Sequence, residues 1–364
     1  MPKVAVIGAG VVGSSIAFRL AQAGADVVLI DRGRPASGTT GASFAWANAN
    51  QKTPRPYFEL NFEGMREHNR LTEDFGGSPW LHRTGNLIWS DEPAEIEARV
   101  QRLIDWGYAA EWRDARDVMQ TLESNLRVPD PSQRIAFFPE ECWVDAPSLA
   151  RALIERGKQH GLQTRFDAEV TGIEVGDAGV ESIQLAGSER IEVGAVVNAA
   201  GPTADKVAAF VGRSLPLAPT GGLLVRVGAS PTPIGRLAHT PQVNIRPDGD
   251  GVVLLHHDSI DHQLGDRTSI PAEDPLVTEL LRRARLVLDG LDDAAVIDTR
   301  VGIRPYPQDG LTCAGAVSRI DGYYEAVTHS GVTLGPLLGR LMTRVVLEGQ
   351  VDPLLGEFSP TRFS

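Results

Sequence analysis

The chain has 364 residues, 42% hydrophobic and 23% charged, which are the proportions of a folded globular protein and exclude a disordered or fibrous one. A formal net charge of -12 argues against a phosphate-coating basic face, so nucleic acid is not an expected partner. No apolar run is long enough for a membrane span, and a strand pattern begins within a few residues of Met1, so the expectation is a cytoplasmic protein without a signal peptide. Two domains are the expectation at this length. Cys142 and Cys313 are the only cysteines; with no partner at ligand spacing they read as small buried apolar residues, and no metal site is expected.

The chain opens with a β-branched run, Val4 to Ile7, that suits a parallel strand buried on both faces. Gly8, Gly10 and Gly13 follow as G-x-G-x-x-G, with Val11 and Val12 between them. Such glycines allow a tight turn, close approach of backbone to a pyrophosphate, and close helix-to-strand packing. A helix from about Ser14 to Ala23 keeps Ile16, Ala17 and Leu20 on one face and ends at Gly24. The next strand, Val27 to Ile30, ends in Asp31 and Arg32, an acid at the spacing of a ribose-binding carboxylate. Together these elements predict a dinucleotide site whose helix N-terminus faces phosphate, with the choice between NAD and FAD open.

After Asp31 comes RGRPASGTTGASFAWANAN, whose Ser37, Thr39 and Thr40 offer hydroxyl and amide donors while Phe44 and Trp46 offer flat apolar surface. The opening unit followed by ASGTTGAS resembles the FAD-dependent amine and amino-acid oxidoreductases of the D-amino acid oxidase superfamily, nearest in pattern to the glycine oxidase and sarcosine-oxidase-like families. That resemblance implies pyrophosphate contacts from Ser37, Thr39, Thr40, Gly41, Ala42 and Ser43. It also implies an α/β fold, in which a Rossmann-like FAD-binding domain on a parallel sheet is interleaved with an α+β substrate domain on a mostly antiparallel sheet. The implied segments are 1–50, 144–213 and 299–364 for the first, and 51–143 and 214–298 for the second.

Residues 54–75 fit an amphipathic helix carrying Leu60, Phe62, Met65 and Leu71, closed by Gly76-Gly77. A strand in RTGNLIWSD, a helix in DEPAEIEARVQRLIDWG, a short helix near Ala115–Leu122 and a strand near Ile135–Phe138 come next. Asp145 and Pro147 then open another helix. A strand at Glu169 to Val175 and a meander precede AVVNAAGPTADKVAAFVG, a second strand-to-helix turn with a small-residue corner at Ala199, Ala200 and Gly201. The resemblance adds Val170, beside the adenine, to this turn. Asp248-Gly249-Asp250-Gly251 marks a hairpin, followed by a helix from Asp274 to Leu288. Of His256 and His257, which adjoin on one strand, alternation sends one to each face. The chain closes with a strand at Tyr323–Thr328, a turn at His329-Ser330-Gly331 and a helix from Val332 to Leu347. The N-terminus of that helix, including Thr333, would stabilise negative charge. By resemblance this charge sits at the flavin N1 and C2 carbonyl.

Arg304, in GIRP, is the candidate for holding a substrate carboxylate, because a guanidinium forks onto two oxygens. The resemblance implies oxidation of a C–N bond with hydride passing to flavin N5, to give an imine that hydrolyses. His256, His257 and His329 are candidate proton acceptors, with His257 and Asn244 counted beside Arg304 as catalytic positions. Asn244 replaces the tyrosine that the resemblance leads one to expect, and the histidine pair replaces small residues. No cysteine near Gly302 could carry a covalent flavin, so FAD is expected to bind noncovalently. The implied partners are a small-molecule amine or amino acid and oxygen or another electron acceptor, with a homo-oligomer left open. An NAD-dependent dehydrogenase and a flavin-binding accessory or scaffold-directed biosynthetic protein are the competing readings.

Overall fold

The computed structural model describes residues 3–363. Two compact units form, each from separated segments: Met1–Trp80, Val144–Thr220 and Ile303–Ser364 make the first, Leu81–Trp143 and Gly221–Gly302 the second. Residues 51–80, expected in the substrate domain, pack with the first unit. The cause is the helix Arg55–Phe75, which buries Tyr57 and Leu60 in the same apolar cluster as Leu334 and Leu338 of the C-terminal helix Gly331–Glu348. Among the described residues, no helix is long and apolar enough to cross a membrane.

In the first unit a six-stranded sheet runs in the order Cys313–Ala316, Tyr323–Val327, Ala195–Asn198, Val4–Ile7, Val27–Ile30, Gln163–Arg165. All pairs are parallel except the antiparallel edge strand Cys313–Ala316. Val6 sits in register with Val197 and Leu29, and both strands of the opening unit are buried throughout, as β-branched parallel strands must be. The C-terminal helix crosses the helix Val11–Gln22 closely because Gly339 stands there; a Cβ would come within 2.7 Å of Ser15 O. An antiparallel meander, Val170–Gly176, Gly179–Leu185 and Arg190–Glu192, completes the unit.

The second unit is built on an eight-stranded, mostly antiparallel sheet with one parallel pair, Asn86–Ile88 with Leu237–His239. The Asp-Gly hairpin forms between Asn244–Pro247 and Val252–His256, as its turn residues predict. Leu87, Val225, Ile245 and Leu255 face one core, closed by Val277, Leu280 and Ala284 of the helix Pro275–Val287. Cys142 and Cys313 are buried and unlinked.

Candidate active site

The opening strand delivers the chain into Gly8 at φ +108°, where a Cβ would lie 2.3 Å from Ala199 O. A Cβ on Gly13 would lie 1.8 Å from Gly8 O. Only glycine lets the two strand-to-helix turns approach this closely. Beside them opens a cavity of about 720 Å³, lined entirely by the first unit. Its wall takes Gly8, Gly10, Val11, Val12, Asp31 and Arg32 from the opening unit. Thr39, Thr40, Ser43 and Val170 continue it, and Ala199, Ala200 and Gly201 join from the second turn. His329, Gly331 and Val332 close the C-terminal side. Gly13, Gly41, Ala42, Ser330, Thr333 and Arg304 are not among the residues that line it. Lys206 and Phe210, in and after the helix Ala204–Ala209, also line the cavity and were missed in sequence. Only their position just after the small-residue turn could have signalled them.

Three of the hydroxyls singled out in sequence, on Thr39, Thr40 and Ser43, have protein partners. Thr40 Oγ1 accepts from Val11 N at 3.0 Å, so it caps a helix whose Gly10 N-cap has no side chain to do so. Thr39 Oγ1 donates to Ile303 O, and Ser43 Oγ accepts from Ala45 N at 2.9 Å. Asp31 accepts from Ala9 N at 2.6 Å through one oxygen and from Gly33 N at 2.8 Å through the other. These side chains brace the cradle; Thr40 and Ser43 do so as acceptors, so their O–H groups remain donors toward an anion beside the backbone amides and the dipole of Val11–Gln22.

A second cluster gathers around His329. Its ring stacks on Tyr306, centroids 4.1 Å apart at 15°, and Lys52 Nζ approaches its Nε2 at 3.5 Å. Tyr57 lies tilted at 6.1 Å, with its hydroxyl 3.0 Å from Ser330 Oγ. Burial first, then the charges of Lys52 and Arg304, push the imidazole down to about 3. His329 is therefore neutral near pH 7 and a weaker base than an ordinary imidazole. With Lys52 donating to Nε2, the hydrogen-bond network assigns the ring proton to Nδ1, which is buried without a partner. Burial also pushes the Lys52 ammonium down to about 8.

Asn244 and His257 both belong to the second unit. Strand register aligns His239, Asn244 and His256 across three neighbouring strands, so the histidine in the row with Asn244 is His256. Asn244 Nδ2 donates to His256 Nδ1 at 3.3 Å, and His256 Nε2 donates to Asp261 Oδ2 at 2.9 Å. His239 Nδ1 donates to Asn86 Oδ1 at 2.8 Å; Asn86 and Tyr108 in turn donate to the buried Glu141. His257 instead caps the short helix Asp258–Asp261, accepting from Ser259 N at 3.2 Å. Its catalytic candidacy gains no geometric support from that local role.

Residues 3–345 match the FAD dependent oxidoreductase family, and the chain belongs to it. It is thus a FAD-dependent oxidoreductase with the mixed α/β fold of that family, and an NAD-dependent dehydrogenase is set aside. The chain is similar to glycine oxidase of Geobacillus kaustophilus, 27% identical over 99% of this chain and 96% of the relative. The crystal structure of that glycine oxidase superposes with a TM-score of 0.87 at 24% identity, covering 100% of this chain and 99% of the other. One of the subunits of an opine oxidase from Agrobacterium tumefaciens is 25% identical over 98% of this chain and 96% of its own length. The structure of iminodiacetate oxidase from Chelativorans sp. BNC1 matches with a TM-score of 0.85 at 22% identity, over 98% of each chain. The glycine cradle, a cavity large enough for a dinucleotide and the partnerless His329 Nδ1 beside it fit FAD.

Proposed function

We propose that this enzyme oxidises the C–N bond of a small carboxylate-bearing amine, an amino acid or a secondary amine, to an imine that water hydrolyses. FAD, when bound, supplies the hydride acceptor. The observation that carries the reading is Arg304, adjoining Pro305, where Pro305 and His329 both line the cavity. The Arg304 guanidinium holds the carboxylate, and its charge acts on the His329 ring. His329, kept neutral and stacked on Tyr306, offers its Nδ1 proton as a hydrogen-bond donor. Val11, Val12, Gly41, Ala42 and the amides of Gly331 to Thr333 supply the cofactor's polar surroundings, with Asp31 at the ribose and Val170 at the adenine.

Anaerobic addition of glycine, sarcosine, D- and L-amino acids, proline or larger amines to the yellow protein should bleach its visible band with at least one of them. A band that no amine bleaches would overturn the proposal. Arg304→Ala removes a charge-assisted contact of about 1.5–3 kcal/mol, so KM for the carboxylate substrate should rise roughly ten- to a hundredfold. An unchanged KM would remove Arg304 as the anchor. Acid precipitation should leave the flavin in the supernatant, as noncovalent binding requires.

A further inference from the structure

Lys52 is a half-buried cation, and among the described residues no carboxylate pairs with it. Other enclosed cations of the first unit are matched: Arg19 and Arg340 meet Glu67, and Arg213 meets Glu325. Among the described residues, Lys52 meets the neutral Nε2 of His329 and, at 5.8 Å, the face of Tyr57. An ammonium withdrawn from water without a counter-anion is costly, and the protein supplies none. Burial accordingly favours its neutral form. Arg304 acts on the same imidazole, so two cations bear on one neutral, stacked ring that lines the cavity.

We propose that Lys52 is a second carboxylate anchor, and that the substrate is a dicarboxylic amine held by Arg304 at one carboxylate and by Lys52 at the other. This deepens the proposed function and rests on its assignment of Arg304. The physical logic is complementarity: one anion leaves a half-buried positive charge uncompensated, while two neutralise both cations and restore the ammonium that burial disfavours. Lys52 stands 3.5 Å from His329 Nε2, and the stack on Tyr306 holds that ring in place. Specificity then includes a penalty against monocarboxylic amines, which leave Lys52 desolvated and unmatched.

The test uses the FAD-loaded protein and two ligands that cannot be oxidised at a C–N bond: methoxyacetate, with one carboxylate, and diglycolate, which adds a second. Dissociation constants come from perturbation of the flavin spectrum. The wild type should bind diglycolate about tenfold or more tighter than methoxyacetate, the scale of one charge-assisted contact. In Lys52→Met that preference should fall to about twofold or less while methoxyacetate binding holds. Lys52→Arg should retain most of it, which keeps the proposal testable if the methionine variant folds poorly. Equal wild-type affinities for the two ligands would overturn it. So would a Lys52→Met variant that loses both ligands equally, or one that keeps the preference and only shifts the flavin midpoint potential. Arg304→Ala separates the underlying reading: unchanged methoxyacetate binding there defeats the Arg304 assignment, whatever Lys52 does.

Discussion

Thr40 shows how one hydroxyl can carry a task that sequence spacing does not reveal. Its hydroxyl reads in sequence as a phosphate donor, and in the fold it is also the acceptor that closes the dinucleotide helix at Val11 N, 29 positions earlier in the chain. Sequence spacing could not reveal this, because a cap normally stands within its own helix entry and Gly10 has no side chain to cap with. Thr40→Val leaves a buried N–H without its acceptor and should destabilise the cofactor-free protein by about 1–2 kcal/mol, measured by denaturant unfolding. An unchanged apoprotein that binds FAD more weakly would return the hydroxyl to the phosphate. Lys52 was overlooked for a related reason: in ANANQKTP it looks like any loop lysine, and only the fold carries it to His329.

Among the elements, the C-terminal helix Gly331–Glu348 carries a proline at 336, which cannot donate to the carbonyl of Val332. His68, from the helix Arg55–Phe75, does so instead: its Nε2 lies 2.9 Å from Val332 O, and the residue is 2% exposed. His68→Leu should therefore cost about 1–3 kcal/mol in unfolding free energy. Restoring the helix's own donor with Pro336→Ala should make His68→Leu markedly cheaper, a coupling that a double-mutant cycle reads directly. Additive effects would mean that the two are not exchanging one carbonyl. The amphipathic period made the helix Arg55–Phe75 legible from Leu60, Met65 and Leu71. It said nothing of Asn61, Glu67 and His68, which are buried because Asn61 bonds back to Tyr57 O in its own helix while Arg340 and Val332 O receive the other two. The same contacts bind residues 51–80 to the first unit, which is why that domain boundary was not legible.

For the molecule as a whole, the cofactor cradle was legible because its glycines and β-branched strands obey local rules. Arg304 stood out through GIRP, but the approach of Lys52 to His329 and the charge states there did not, because they depend on burial. That dependence extends to stability, through one histidine in each unit. His329 is pushed down to about 3 by burial, Lys52 and Arg304. His239 is likewise pushed down to about 3, by burial first and then by His256, Arg99 and His257. Both lie below the ordinary value of 6.5. The unfolded chain therefore takes up protons at these rings that the folded protein refuses. The sign follows: their contribution is intact above pH 6.5 and is lost progressively as pH falls from there toward 3. Each histidine adds a slope of at most about 1.4 kcal/mol per pH unit within that window. Urea midpoints between pH 7 and 5 should fall with acidification. His239→Gln, which removes one of the two titrating rings, should flatten the decline. A decline unaltered in that variant would mean that His239 takes up its proton equally in both states.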